Sequence, residues 1–294
     1  LTERLAREAQ AGDLILTMGA GSIDRVADQL AADLRQRAPR ALTAAGRARA
    51  IDADLARLLS DRTRVRRGEP MFRHTTLRIG GPAEWWIEPG DERDLARVLR
   101  YAHEQQLPLT VVGRGSNLLV VDEGIPGLVV NLGSPEFCRV ERDGERIIAR
   151  AGARLRTVVN LARQSGLGGL EFLEGIPGSV GGALRMNAGA MGRQTFEVLD
   201  WVRYVSRSGE IYDAEARTLP VAYRSCPVFE THVALTAIFR GVNAPRAEIE
   251  QRQRAFEQRR WASQPARPSA GCIFKNPAVI PAGRLVEELG LKGT

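Results

Sequence analysis

The chain has 294 residues, 44% apolar and 26% charged, with a formal net charge of +7. That length can bury a substantial core and suggests about two domains, and no apolar run approaches the ~20 residues of a membrane span. The charge does not mark a nucleic-acid surface. Residues 35–73 hold eleven Arg against four acids (Asp52, Asp54, Asp61, Glu69), which leaves the rest of the chain balanced, and no aromatics interleave the arginines for base stacking.

Three widely spaced cysteines, Cys138, Cys226 and Cys272, lack CxxC spacing. This excludes a disulfide scaffold or zinc knuckle, points to the reducing cytoplasm, and leaves no metal site to expect. The N-terminus, LTERLAREAQ, is charged from its third residue and lacks an initiator Met, so the expectation is a fragment without a secretory signal.

In residues 1–34, DLILTMG predicts a short strand and GAGS a tight turn, and Ile23, Val26, Ala27 and Leu30 recur at helical spacing. One strand–turn–helix unit cannot make a domain, so this piece reads as the end of a domain lying upstream. Residues 35–50, RQRAPRALTAAGRARA, lack apolar periodicity and read as a basic linker. A short helix is predicted at 51–60, with Ile51, Leu55, Leu58 and Leu59 on one face.

From residue 74, HTTLRIGGPAEWWIEPG predicts a strand, a Gly-Gly turn and a second strand. Residues 91–106 predict an amphipathic helix, with Leu95, Val98, Leu99 and Ala102 inward and Asp91 near the N-cap. LPLTVVGRGSNLLVVDEGIPGLVVNL predicts strand, glycine loop, strand, turn and strand. Its GRGSN is neither a dinucleotide fingerprint nor a Walker loop. Consecutive N–H groups at Gly113, Arg114, Gly115, Ser116 and Asn117 could nest a pyrophosphate, and a hairpin-like turn explains the same residues. ERIIARAGA predicts a strand, Leu155 to Ala162 a helix ending near Gly166, VLDWVRYVSRSGEIYDA a hairpin turning at Ser208-Gly209, and VALTAIFRGV a further strand. An Arg/Gln-rich helix is expected over 246–260, and a third segment opens after about residue 241. The pattern is α+β.

Residues 168–192, GGLEFLEGIPGSVGGALRMNAGAMG, organise the rest. Glycine costs roughly 0.5–1 kcal/mol against Ala inside regular structure. So many glycines fit a loop whose backbone approaches a large ligand. Gly175, Gly178, Gly181 and Gly182 would let N–H groups converge on an anionic or ring-carbonyl group, and Pro177 stiffens the turn.

GRGSN, GIPGSVGG…MNAGA, YRSC and SAGCIFKNP, in that order and preceded by HTTLRIGGPA, resemble the UDP-N-acetylenolpyruvoylglucosamine reductase (MurB) family. The resemblance runs from about residue 51 to the last residue. Residues 1–34 resemble the C-terminal end of UDP-N-acetylmuramate–L-alanine ligase, which would consume the reductase's product, so the chain looks like part of a fusion of consecutive steps.

The resemblance implies an α+β FAD-binding fold of the vanillyl-alcohol-oxidase (PCMH) type. Two flavin subdomains would occupy 51–241 and a truncated substrate domain 242–294. It implies FAD and NADPH as cofactors, a UDP-sugar substrate and a cytoplasmic, monomeric reductase unit. Hydride would pass from NADPH by way of FAD to the enolpyruvyl group, giving UDP-N-acetylmuramate for peptidoglycan synthesis. By position, Gly113 to Asn117 would hold the FAD pyrophosphate, and Gly175, Ile176, Pro177, Gly178, Ser179, Gly181 and Gly182 would line the isoalloxazine and phosphates. His74 to Gly81 would lie near the nucleotide half.

Tyr223 and Arg224 match substrate-contacting positions, and a guanidinium suits the charge that develops on the enolpyruvyl carboxylate. Cys272 matches the proton donor, usually Ser, and a thiol of unperturbed pKa ~8.5 can donate directly. Lys275 and Asn276 match neighbours facing the substrate. Two departures stand out. Met191 sits where an aromatic usually follows NAGA, and the chain ends after GLKG, before the family's C-terminal Glu. Truncation is the expected reason. Other readings are a different oxidoreductase of the same superfamily, or a flavin-binding module inactive for want of that Glu.

Overall fold

In a computed structural model of the chain, the described residues are 44–263, 275–277 and 279–291. The strand and helix expected within 1–34, and Cys272, lie outside them. The chain divides into two compact units, Leu1–Asp54 and Leu55–Thr294. Helix α1, Ala44–Leu58, begins within the stretch read as a linker, and Ile51 and Leu55 are buried. The Arg and Ala content that hid a periodicity there also has high helix propensity, which supports the extra turns.

The second unit starts with a four-stranded sheet ordered β1-β2-β4-β3. It comprises β1 (Arg64–Pro70), β2 (Pro82–Glu88), β3 (Leu109–Val112) and β4 (Ile125–Asn131). β1 runs antiparallel to β2, while β2 and β3 flank β4 in parallel. A parallel pair needs a crossover, supplied by α2 (Glu92–Glu104), which buries Leu95, Val98, Leu99, Tyr101 and Ala102. The Asp91 side chain accepts the Asp94 N–H at 2.9 Å and so caps the helix.

Asp94 itself is buried and accepts from Ser60 N (3.1 Å), Thr63 Oγ1 (2.6 Å) and Arg97 Nη1 (3.0 Å). Burial pushes its carboxyl up, but bonds from Ser60, Thr63 and Arg97 outweigh it and hold the group below the ordinary Asp range. Met71, Ala83, Trp86, Val112, Val120 and Val129 form the core beneath this sheet.

Two expectations fail here. β1 was hidden because four of its seven residues are Arg or Glu, as suits an edge strand kept from pairing further. Conversely, residues 74–81 and 118–122 are loops rather than strands, and their backbone bonds, such as Gly81 N–H to Val121 O at 2.9 Å, join the two loops. Glycine at 80 and 81 permits that approach: a Cβ at Gly81 would stand 1.9 Å from Asp122 O.

The second sheet is five-stranded and antiparallel, ordered β11-β10-β12-β6-β5. In chain order, β5 (Val140–Asp143) and β6 (Arg146–Arg150) precede α3 (Leu155–Gln164) and the two-residue β7 (Leu167–Gly168). The short helix α4 (Val180–Arg185) leads into a small hairpin of β8 (Gly189–Ala190) and β9 (Arg193–Gln194). β10 (Leu199–Ser206) and β11 (Ile211–Glu215) form the hairpin expected around Ser208-Gly209. Then come α5 (Val228–Thr231), β12 (His232–Arg240), β13 (Val242–Asn243), α6 (Arg246–Ser263) and α7 (Ala282–Glu288). Ile147, Ala149, Val202, Val205, Ala234 and Ala237 are buried along the second sheet.

Candidate cofactor site

A cavity of about 620 Å³ opens between the two sheets, within the ~300–1,000 Å³ usual for small-molecule and cofactor pockets. One wall is β3 with Gly113 and Arg114, another is Arg73 to Thr76, and a third is Ser179, Gly181 and Gly182. Asn131, Gly152, Arg185, Arg207 and the start of β12 complete it.

The two glycine loops meet here. Ser116 Oγ donates to Pro177 O at 2.8 Å, and Thr76 N–H donates to Gly115 O at 3.1 Å. Asn131 Nδ2 donates to the carbonyls of both Val112 and Gly113 at 2.8 Å, which occupies those two oxygens. Close approach explains the glycines. A Cβ at Gly115 (φ +62°) would lie 1.9 Å from His74 O, and one at Gly113 would lie 2.6 Å from Ser179 Oγ.

The loops differ in their free donors. Among the described residues, the backbone N–H groups of Arg114, Gly115, Ser116 and Asn117 meet no acceptor. In the other loop, the N–H groups of Val180 and Gly181 are taken by the carbonyls of Ala153 (2.9 Å) and Ala151 (2.7 Å). The Gly182 N–H faces Ser179 Oγ, the cap of α4, at 3.4 Å. The Val180 and Gly181 N–H groups are thus spent within the protein rather than left for an anionic or ring-carbonyl group, and glycine at 181 lets α4 lie against Ala151.

The cavity is cationic. Arg73, Arg114, Arg185 and Arg207 line it, with Glu230 as the carboxylate, 3.3 Å from Arg185. Loss of water around the Arg114 guanidinium, and the charge of nearby Arg154, press Arg114 below the ordinary arginine range. Burial does the same to Arg207, whose Nη1 donates to Leu109 O at 3.1 Å. Cys138 is half-buried and lines the cavity, and burial pushes its thiol up against the pull of Arg114 and Arg154.

His74 is anchored beneath the rim. Its ring stacks on Trp86 with centroids 3.9 Å apart, and Nε2 lies 2.9 Å from Glu69 Oε1. The bond to His74, opposed by burial and aided by Arg66, holds the Glu69 carboxyl below its usual range.

Unpaired N–H groups in the 114–117 loop beside the Arg114 guanidinium suit a pyrophosphate, and the wall of small residues Ser179, Gly181 and Gly182 suits a planar ring. The residues present therefore suit FAD.

Of the expected cofactor residues, Gly113, Arg114, Ser179, Gly181 and Gly182 line the cavity, whereas Gly115, Ser116, Asn117, Gly175, Ile176, Pro177 and Gly178 belong to the same two loops, joined by the Ser116–Pro177 bond, but do not line it. Tyr223 and Arg224 occupy a tight turn closed by paired bonds between Ala222 and Ser225. The turn adjoins the Arg185 end of the cavity, because Cys226 N–H donates to Arg185 O at 3.2 Å. Lys275 and Asn276 are exposed and do not line the cavity, and Asn276 Oδ1 accepts the Ala282 N–H at 3.1 Å. Sequence reasoning missed Asn131, Arg185 and Arg207. Asn131 and Arg185 are single polar residues ending an otherwise apolar strand or helix, and Arg207 follows β10 at the hairpin turn, so each is a weak signal on its own.

Among the described residues no helix is long and apolar enough to cross a membrane, and no three His, Cys, Asp or Glu side chains gather to hold a metal ion.

Residues 83–215 match the FAD binding domain family. UDP-N-acetylenolpyruvoylglucosamine reductase 2 of Symbiobacterium thermophilum is 41% identical over 241 residues, covering 81% of this chain and 78% of that protein. The reductase of Pelobacter propionicus is 42% identical over 227 residues, 76% of each. Among solved structures, UDP-N-acetylenolpyruvylglucosamine reductase (MurB) from Thermus caldophilus aligns with a TM-score of 0.67 at 36% identity, over 79% of this chain and 82% of that one. The 4-ethylphenol oxidase of Gulosibacter chungangensis, 18% identical with a TM-score of 0.51 over 70% of this chain and 45% of that one, shares the fold alone. By identity and by the span aligned, the chain belongs to the UDP-N-acetylenolpyruvoylglucosamine reductase family.

Proposed function

We propose that the chain catalyses the NADPH-dependent reduction of UDP-N-acetylglucosamine enolpyruvate to UDP-N-acetylmuramate, with FAD as the bound redox cofactor. It thereby serves peptidoglycan precursor synthesis. The observation that carries the reading is the meeting of two glycine loops at one cationic cavity, free N–H donors on one and a flat wall on the other. Membership of the reductase family supplies the substrate class.

FAD, when bound, supplies the hydride relay between NADPH and the enolpyruvyl carbon. The chain's own residues do the rest. Arg114 to Asn117 hold the pyrophosphate by backbone N–H and guanidinium. Gly175 to Gly182 form the wall beside the ring. Tyr223 contacts the substrate, and Arg224 stabilises charge developing on its carboxylate. Cys272 donates the proton to the adjacent carbon.

The reductase unit works as a cytoplasmic monomer. Residues 1–34 would carry the end of a ligase-like domain acting on its product.

Anaerobic titration tests the reading. NADPH should bleach the bound flavin, and enolpyruvyl-UDP-N-acetylglucosamine should then restore its oxidised spectrum. Flavin that NADPH bleaches but the enolpyruvyl substrate never reoxidises would exclude this activity. Cys272→Ala should leave bleaching intact and slow reoxidation ~10²-fold or more, as for a lost general acid.

A further inference from the structure

The turn holding Tyr223 and Arg224 is exposed: Tyr223 keeps 44% of its surface in water. An exposed turn does not by itself hold a guanidinium in one place, and its fixing comes from below. Asn187 is 3% exposed and sits at the end of α4. Its Nδ2 donates to Ala222 O at 3.1 Å, the first residue of the turn, and to Gln194 Oε1 at 2.6 Å on β9. Its Oδ1 accepts the Phe196 N–H at 3.4 Å. One buried amide thus ties α4, β9 and the turn together.

The backbone records the constraint. Among the described residues, five non-glycine residues have positive φ, and three of them, Asn187 (36°), Met191 (54°) and Arg224 (57°), lie in this hairpin and turn. Such conformations are costly without a side-chain or packing reason, and they gather where function demands a fixed geometry. Gly189 makes the remaining room: a Cβ there would lie 3.3 Å from Arg224 Nη1 and 2.5 Å from Arg193 O. The Arg224 guanidinium also sits over the Tyr223 ring, 5.0 Å from its centroid.

We propose that Asn187 is a positioning residue for the reduction: its buried amide, with the gap at Gly189, sets where the Arg224 guanidinium meets the substrate. The inference rests on Arg224 having the role given it above. Asn187 is buried and does not line the cavity, so it acts through the turn. A displacement of about 1 Å at a group that orients a reactant can cost on the order of 10²-fold in rate. The two half-reactions should therefore separate.

In the full-length holoenzyme, Asn187→Ala should keep flavin binding and bleaching by NADPH within about twofold. Reoxidation by the enolpyruvyl substrate should slow about tenfold or more at saturation, a loss in rate rather than in KM. Combined with Arg224→Lys, it should add almost nothing to the Arg224→Lys loss, because both remove one contact. Additive losses, or equal losses in both half-reactions, would overturn the assignment.

Should Asn187→Ala fail to hold flavin, Gly189→Ala carries the test, since its Cβ must displace Arg224 or the Arg193 carbonyl. Unchanged reoxidation in that variant would equally overturn it. A wild-type enzyme that is never reoxidised removes the functional reading. A wild type that is reoxidised, but is matched by Arg224→Lys, removes only the role of Arg224 and this inference with it.

Discussion

Two glycine loops of similar composition, GRGSN at 113–117 and GIPGSVGG at 175–182, reach the same cavity and do opposite things. In the first, glycine lets the chain pass within contact of His74 and Thr75 while four successive N–H groups stay free. In the second, glycine lets a short helix lie on Ala151 and Ala153, which consume its first N–H groups. Glycine therefore marks close approach, and only the register of neighbouring carbonyls decides whether donors remain for a ligand. On the reading proposed above, the anion would meet the first loop and the flat ring the second.

The sharpest break in this comparison is Gly115→Ala. Its Cβ would stand 1.9 Å from His74 O and 2.7 Å from Thr75 Cα, at a φ of +62° that side chains avoid. The loop must move, and FAD affinity, read by quenching of flavin fluorescence, should fall about 100-fold or more.

Asp94→Asn separates scaffold from site. It removes a buried carboxylate that accepts from Ser60, Thr63 and Arg97, and should cost about 2–3 kcal/mol in urea unfolding, as for hydrogen bonds to a charged group. FAD affinity of the folded variant should not change. The sign with pH follows from the lowered folded pKa. The stabilisation is complete above the unfolded Asp value of ~3.9 and is lost as pH falls through the folded value, so wild type and variant should converge in acid.

Arg114→Ala leaves the N–H groups in place and removes one charge. FAD should bind about tenfold more weakly, with a shallower salt dependence, as for one charge-assisted contact. The mildest case sharpens the contrast. A Cβ at Gly181 would meet Ala151 Cβ and O at 3.3 Å, and the Gly181 N–H is already paired with that oxygen. Gly181→Ala should therefore alter FAD affinity by less than about threefold, although its wall packs tighter.

Much of this was legible in the sequence because it rests on local rules. α2 follows from the spacing of Leu95, Val98, Leu99 and Ala102 behind an Asp cap, and the β10–β11 hairpin from Ser208-Gly209. The motif residues 113–117 and 175–182 fall in the two loops that meet at the cavity. What was hidden depends on tertiary pairing. Four of the seven residues of β1 are charged, so its strand character shows only in its register with β2. The stretch LLVVD at 118–122 has strand-like residues but finds its partner in the 74–81 loop instead of a sheet. The free and spent N–H groups of the two glycine loops could not be told apart without knowing where the carbonyls of Ala151 and Ala153 lie. Asn187 escaped for a similar reason, since its partners Gln194 and Ala222 are 7 and 35 residues away.

The most direct measurement is the affinity of the flavin-free protein for FAD and for riboflavin, in the wild type and in Gly115→Ala. If Arg114 to Asn117 receive the pyrophosphate, the wild type binds FAD far more tightly than riboflavin, and Gly115→Ala abolishes that difference while weakening riboflavin little. Equal affinity of the wild type for both flavins, or an unchanged preference for FAD in Gly115→Ala, would contradict the account.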